Sequence, residues 1–313
     1  MKIGVIGAGG VGAYFAAALC RSGAEVHLLA TDRHVAPITA RGLTVTSGED
    51  IPTFTVFPAS VTSDASSIGT CDAVILACKA GQVAEAMIDA RPMIGTGTAV
   101  LPLQNGVTAA DRITEAVGPG HALGGVCIII SYLQEPGVVH HVGGQPAITL
   151  GELDGSVTPR VEQLAAALDA AGVKITVSED VVTDAWRKFM LITSYGGVGA
   201  LSRQPVGRTR ANALTRSLVA DAMREVAALA VRAGARLDEQ DVDRMMAQFD
   251  AFSPDSTASM QRDLAAGRRS EMEEQNGMVV RLAAKHGVPV PIHDTIYRGL
   301  TLLDGAAERG RES

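Results

Sequence analysis

Two short stretches of this sequence hold residues with chemistry to offer. In AWRKFMLITSYGGVGAL, residues 185–201, Lys188 stands inside a run that is apolar on nearly every side, among Trp186, Phe189, Met190, Leu191 and Ile192. An ammonium placed there is costly unless it is paired. Desolvation favours the neutral form, so a lysine in such surroundings can both hold and release a proton near neutral pH. A plainer reading stays open, in which Arg187 and Lys188 are the solvated edge of an amphipathic helix with snorkelling stems. The second stretch, GAGGVG, sets Gly7, Gly9 and Gly12 in the pattern G-x-G-x-x-G, with Ala8, Gly10 and Val11 between them. That spacing serves a tight turn out of a strand, close approach of backbone to a pyrophosphate, and close packing of helix on strand. It follows a short apolar run at Ile3 to Ile6 and opens a helical run from Val11 to Leu19, so the context predicts a dinucleotide site.

The end of the second strand bears on which dinucleotide. An acidic residue there would hold a ribose 2′-hydroxyl, but LLATDRH offers Leu29, Ala30 and Thr31, and Asp32 comes late. Thr31 and Arg33 suit a 2′-phosphate instead, so the expected cofactor is NADP (NADPH) rather than NAD; the alternative is a solvated loop.

These residues need elements to position them. Strand and helix runs alternate through CDAVILACKA, a strand at Asp72 to Ala77 feeding a helix around Gln82 to Ile88, and on through TAVLPLQNGV. This predicts an N-terminal Rossmann-type doubly wound parallel sheet, residues 1–178. LGGVCIIISYLQEPGVVHHVGGQPAITLGE then reads as an antiparallel meander, split at Glu135-Pro136-Gly137 and Gly143-Gly144. A helix from Pro159 to about Ala171 and the strand VKITV close the domain. From Val181 strand signals stop, so residues 179–313 are expected as an all-helical substrate and dimerisation domain. There Ser253-Pro254 should open a helix ended by Gly267. Ser270 should open the next, with Glu273 completing a capping box and Glu271 at the first helical position. The tail ERGRES is expected to fray.

Composition narrows the function classes. With 313 residues, 47% of them hydrophobic, the chain can bury a large core, and its net charge of -7 argues against a phosphate-backbone partner, so no nucleic acid is expected. No apolar stretch approaches the ~20 residues that span a bilayer, so no membrane either. The strand at Lys2 leaves no room for a signal peptide, and Cys20, Cys71, Cys78 and Cys127 form no CxxC, as for thiols in a reducing cytoplasm. The histidines show no ligand spacing. His140 and His141, adjacent in a strand, point to opposite faces, and no metal is expected.

With these motifs in order, the sequence resembles the ketopantoate reductase (2-dehydropantoate 2-reductase) family over nearly its whole length. The carriers are GAGGVG, CKAGQ around Lys79, LQNGV around Asn105, AWRKF around Lys188, and STASMQRDLAAGRRSEMEEQNG from Ser256 to Gly277. The resemblance implies a Rossmann domain joined to a helical domain of the 6-phosphogluconate dehydrogenase type. It also implies NADPH-dependent reduction of the 2-oxo group of ketopantoate, in pantothenate biosynthesis. By position, Lys188 matches the lysine that protonates the substrate carbonyl oxygen. Asn105 matches the asparagine near that lysine and the nicotinamide ribose, and Lys79 the lysine beside the cofactor. Ser259 and Glu271 match the residues that bind the carboxylate and hydroxyl end of the substrate.

One departure stands out. The family pattern has asparagines four and eight residues after the catalytic lysine, on one helix face. Here those substrate-facing positions hold Ile192 and Gly196. Thr193 and Ser194 are rotated away by roughly 100° per residue and replace them only if the helix breaks, for which Gly196, Gly197 and Gly199 are suited. Arg203, Arg208 and Arg210 are candidate partners for an anion, or simply a solvated basic stretch. The expected partner is a small-molecule 2-oxo acid, bound by a monomer or homodimer. Two alternatives are a reductase of the same build acting on a different, more apolar carbonyl substrate, and an NADP-binding regulator without turnover.

Overall fold

In a computed structural model describing residues 1–48 and 52–306, the chain divides into two compact units, Met1–Val181 and Val182–Ser313. The tail ERGRES lies outside the described residues. In chain order the first unit contains β1 (Lys2–Ile6), α1 (Gly10–Arg21), β2 (Glu25–Leu29), α2 (Asp32–Arg41), β3 (Leu43–Ser47), β4 (Phe54–Val56), β5 (Ser60–Thr62), β6 (Cys71–Leu76), α3 (Val83–Asp89), β7 (Ile94–Pro102), α4 (Ala109–Val117), β8 (Gly124–Ile128), β9 (Ser131–Glu135), β10 (Val138–His141), β11 (Ala147–Gly151), α5 (Pro159–Ala170) and β12 (Lys174–Val177). Five of the strands form a parallel sheet in the order β5-β2-β1-β6-β7. Successive side chains of a strand point to opposite faces. Ile3, Val5, Ala73, Ile75 and Leu101 therefore join the core under α1, while Ile6, Val74, Leu76 and Val100 join a second core with Val83, Met87 and Ile113 of α3 and α4. A sheet covered on both faces explains why its strands read as unbroken apolar runs.

The expected meander does not form. β9 and β10 make a hairpin that joins β3 and β4 in the order β4-β3-β10-β9, with β10 parallel to β3. β8 pairs antiparallel with β11, which β12 extends in parallel. The reason lies in α1, whose residues from Gly12 to Leu19 are all buried and need apolar surface on a second side. Val45 of β3 and Val139 of β10, both fully buried, supply it.

The second unit is helical: α6 (Val181–Ser202, beginning one residue before the boundary), α7 (Val206–Ala211), α8 (Ala213–Arg232), α9 (Glu239–Ala251), α10 (Ser259–Ala265), α11 (Asn276–His286) and α12 (Pro291–Leu300). The stop signal of α6 is Arg203 at φ 55, followed by Pro205. The side chain of Asn212 caps α8 by accepting from the Leu214 and Thr215 amides, and Asp238 and Asp241 form a capping box on α9.

Two expected helix starts are corrected. Ser253-Pro254 opens a turn, and α10 begins only at Ser259. The intervening carbonyls are engaged elsewhere: those of Pro254 and Ser256 accept from the Gly207 and Val206 amides at the start of α7, at 2.8 and 3.0 Å. Gly267, at φ +65, does follow the end of α10. Ser270 does not open α11. Its amide and hydroxyl donate to Asp304 Oδ1, both at 2.7 Å, residues 271–275 form a turn, and α11 starts at Asn276. Glu273 accepts instead from Tyr297 and Arg281, so the capping box is absent.

Candidate active site

The residues picked out in the first unit lie at the C-terminal ends of neighbouring strands, where open α/β sheets bind ligands. Gly7 follows β1 with φ +104, a conformation that requires glycine, and donates its amide to Leu29 O at 2.9 Å. A Cβ on Gly7 would come within 3.0 Å of the Ala77 backbone, and one on Gly12 would stand 1.9 Å from Gly7 O. Gly9 is the opposite case, exposed with no atom within 4 Å of its Cβ position. Turn, open approach and close packing thus fall to the three glycines in the order their spacing predicts. Gly10 packs against the Ser131 and Tyr132 backbone, and Ser131 Oγ donates to Gly10 O at 3.0 Å. Ala8 is buried and Val11 half-buried. With Gly9 at the N-cap and no side chain capping it, α1 presents its first amides, which suits a phosphate.

At the end of β2, Thr31 and Arg33 are exposed at the start of α2, and Asp32 occupies its first position. Arg33 Nε donates to the ring of buried His34 at 3.1 Å. Burial first, and Arg33 second, hold the His34 imidazole below its usual pKa. At the end of β6, Lys79 is exposed and precedes a single 3-10 turn, Ala80–Gln82. Past β7, Asn105 is half-buried and followed by Gly106 at φ +125. The sequence reading missed Gln104. Its buried Nε2 donates to Leu76 O at 2.9 Å and Cys78 O at 3.1 Å, tying the end of β7 to the turn that carries Lys79. Its position in LQNGV, at the mouth of a strand, was the available signal.

In the second unit, α6 runs unbroken through SYGGVGAL. Its glycines serve close packing, not a break. A Cβ on Gly197 would come 2.8 Å from Asn276 Nδ2, and one on Gly199 would come 2.7 Å from Gln261 Oε1. Thr193 is fully buried and donates to Phe189 O at 2.8 Å, and Ser194 is fully buried, so neither takes the place of the missing asparagines. Lys188 is half-buried, and Trp186 and Phe189 are buried on either side of it. Neighbouring Arg187 is no solvated edge. It donates to Asp241 at 2.6 Å and Asp184 at 2.5 Å, and Arg244 also reaches Asp241.

Ile192 is half-buried. Gly196 is buried, and its Cβ position lies 3.0 Å from Ala258 Cβ, which brings the start of α10, and Ser259 as its first residue, to that turn of α6. Glu271 opens the turn before α11 and lies 3.5 Å from Gln275 Nε2. Tyr195, seven residues past Lys188 and so on the same face, packs against Phe252 at 5.2 Å and Phe249 at 6.2 Å. Of the arginines, Arg210 is committed to the Asp250 and Phe252 carbonyls.

A nucleotide-shaped turn on a parallel sheet, and a helical unit with a lysine on its first long helix, define a two-domain oxidoreductase build. Family models agree: ketopantoate reductase PanE/ApbA matches residues 3–155, and its C-terminal counterpart matches residues 180–304. The chain belongs to the ketopantoate reductase PanE/ApbA family. It is 29% identical to a 2-dehydropantoate 2-reductase of Nostoc sp. over 99% of this chain and 97% of that one. Among solved structures it resembles a PanE/ApbA family ketopantoate reductase from Ralstonia eutropha JMP134, with TM-score 0.87, 30% identity, and coverage of 98% and 100%. It is also similar to a D-mandelate dehydrogenase in complex with NADH, with TM-score 0.84, 25% identity, and 99% of each chain covered.

Proposed function

We propose that this protein is an NADPH-dependent reductase of a small 2-oxo acid, ketopantoate being the first candidate, acting in pantothenate biosynthesis in the cytoplasm. What carries the reading is one chain holding both a glycine turn shaped to all three steric demands of a dinucleotide and a half-buried lysine on an unbroken helix. The residues fit the cofactor. The open backbone at Gly9 and the first amides of α1 would take the pyrophosphate, Thr31 and Arg33 the 2′-phosphate, and Lys79 and Asn105 the nicotinamide ribose side. When bound, the dinucleotide supplies hydride to the carbonyl carbon. Lys188 gives its proton to the carbonyl oxygen, which removes the negative charge that would otherwise build there. Ser259 and Glu271 would hold the carboxylate and hydroxyl end of the substrate, and Asn105 takes the catalytic part that the family resemblance implies for it.

Ile192 and Tyr195 favour a second reading, a larger and more apolar 2-oxo acid, because the face that continues from Lys188 carries an isoleucine and a tyrosine set among phenylalanines. A structural neighbour that is a dehydrogenase of D-mandelate is in keeping with this. The test follows oxidation of NADPH and NADH with ketopantoate and a panel of apolar 2-oxo acids, in wild type and Lys188→Ala. NADPH should be the better donor, and the variant should lose roughly 10²- to 10⁴-fold in kcat with NADPH affinity kept. Tight NADPH binding without turnover of any substrate would leave only a regulator, and full activity in Lys188→Ala would remove the lysine from its role.

A further inference from the structure

A cavity of about 680 Å³ opens in the first unit at the far end of α1 from the glycine turn. From Gly10 to Arg21 the helix rises about 16 Å, which separates this cavity from a phosphate held at the glycine turn. Its size falls within the range of small-molecule sites. Its lining includes the rings of Tyr14 and Phe54 and the small apolar side chains of Ala18 and Ala171, with Gln145 also among the lining residues.

Among the described residues that line the cavity, Arg21 is the only ionisable side chain apart from the Tyr14 phenol. Two other arginines of this unit, Arg160 and Arg41, are matched to carboxylates, those of Glu152 and Glu135. Arg21 forms no ion pair among the described residues, and its guanidinium lies over the Phe54 ring at 4.6 Å from the centroid. An arginine at a helix C-terminus is ordinarily explained by the helix dipole. Here the planar fork instead rests on an aromatic face at the cavity. The second polar group is Tyr14, 5% exposed overall, whose hydroxyl makes no hydrogen bond among the described residues. Burial pushes its pKa up, outweighing the pull of Arg21 downward, so the hydroxyl stays a donor at neutral pH. Tyr14 is also held in place, edge-on to Phe15 at 5.5 Å and tilted against His141 at 5.0 Å.

We propose that this cavity is a binding site for a small aromatic monocarboxylate, its ring on those of Tyr14 and Phe54 and its carboxylate taken by the Arg21 fork and the Tyr14 hydroxyl. A guanidinium matches a carboxylate with two parallel hydrogen bonds, and the apolar part of the lining selects against small hydrophilic anions. The site lies within one unit and does not rest on the reductase reading.

The probe is 3-phenylpropionate, titrated calorimetrically into protein saturated with NADPH, beside its neutral amide. One equivalent should bind, the amide at least about tenfold more weakly. Arg21→Gln should weaken the acid by at least about tenfold, and Gln145→Trp, which puts a large ring where a lining residue stands, should abolish binding; both variants should keep wild-type circular dichroism and wild-type reductase kinetics. Absence of binding to wild type, equal binding of acid and amide, or binding unchanged in both variants would each overturn the assignment.

Discussion

Gly12 shows how little freedom the nucleotide turn has. The first atom of any side chain there would sit 1.9 Å from Gly7 O, so Gly12→Ala must push α1 away from β1. We expect it to lose NADPH binding by far more than Gly9→Ala, whose added methyl meets nothing; a binding titration of both variants decides this. The turn could be read in advance because its glycines stand within six consecutive residues, although the Ala77 backbone that crowds Gly7 lies far along the chain. Arg187 could not. Its partner Asp241 is 54 residues away, and only the folded chain shows that the arginine beside Lys188 is held in an ion cluster. Gln104 was hidden for the same reason, since its work is to join the ends of two strands that are distant in sequence.

Among the elements, α6 and its partners decide what the Lys188 face can become. Gly196→Asn would restore the family's residue, but Ala258 already stands 3.0 Å from the first atom to be added. The variant should cost roughly 1 to 3 kcal/mol in stability, measured by urea unfolding, and should gain no activity on ketopantoate. The helix periodicity of α6 was legible from its sequence, while the role of its glycines was not, because packing against α10 and Asn276 is invisible in a local pattern. The displaced start of α10 has a similar cause: Pro254 and Ser256 give their carbonyls to α7, a pairing that overrides a local start signal.

Asp241 ties α9 to α6 and titrates in a defined direction. Burial alone would push its carboxyl up, but hydrogen bonds from Arg244 and Arg187 outweigh this and hold it below the ordinary carboxylate range. A depressed carboxyl contributes stability above the unfolded value of about 3.9, and that contribution is lost as pH falls through the lower folded value. Asp241→Asn should therefore destabilise the protein at pH 7 by roughly 2 to 3 kcal/mol, and the two unfolding curves should converge as pH falls through the lowered folded value.

For the molecule as a whole, class and element order were legible because alternating strands and helices leave few topologies for a parallel sheet. Sheet membership of β8 to β11 was not, since it depends on which surface buries the second side of α1. The turn that carries Glu271 likewise depends on a distant residue, Asp304, which accepts from Ser270 twice. Asp304→Ala should raise KM for the 2-oxo acid severalfold and leave KM for NADPH unchanged; an unchanged substrate KM would show that the turn holds itself. The same link orders events during synthesis. Ser270 leaves the ribosome 34 residues before the partner that secures it, so the nucleotide unit can be complete while the turn bearing Glu271 still waits for its latch.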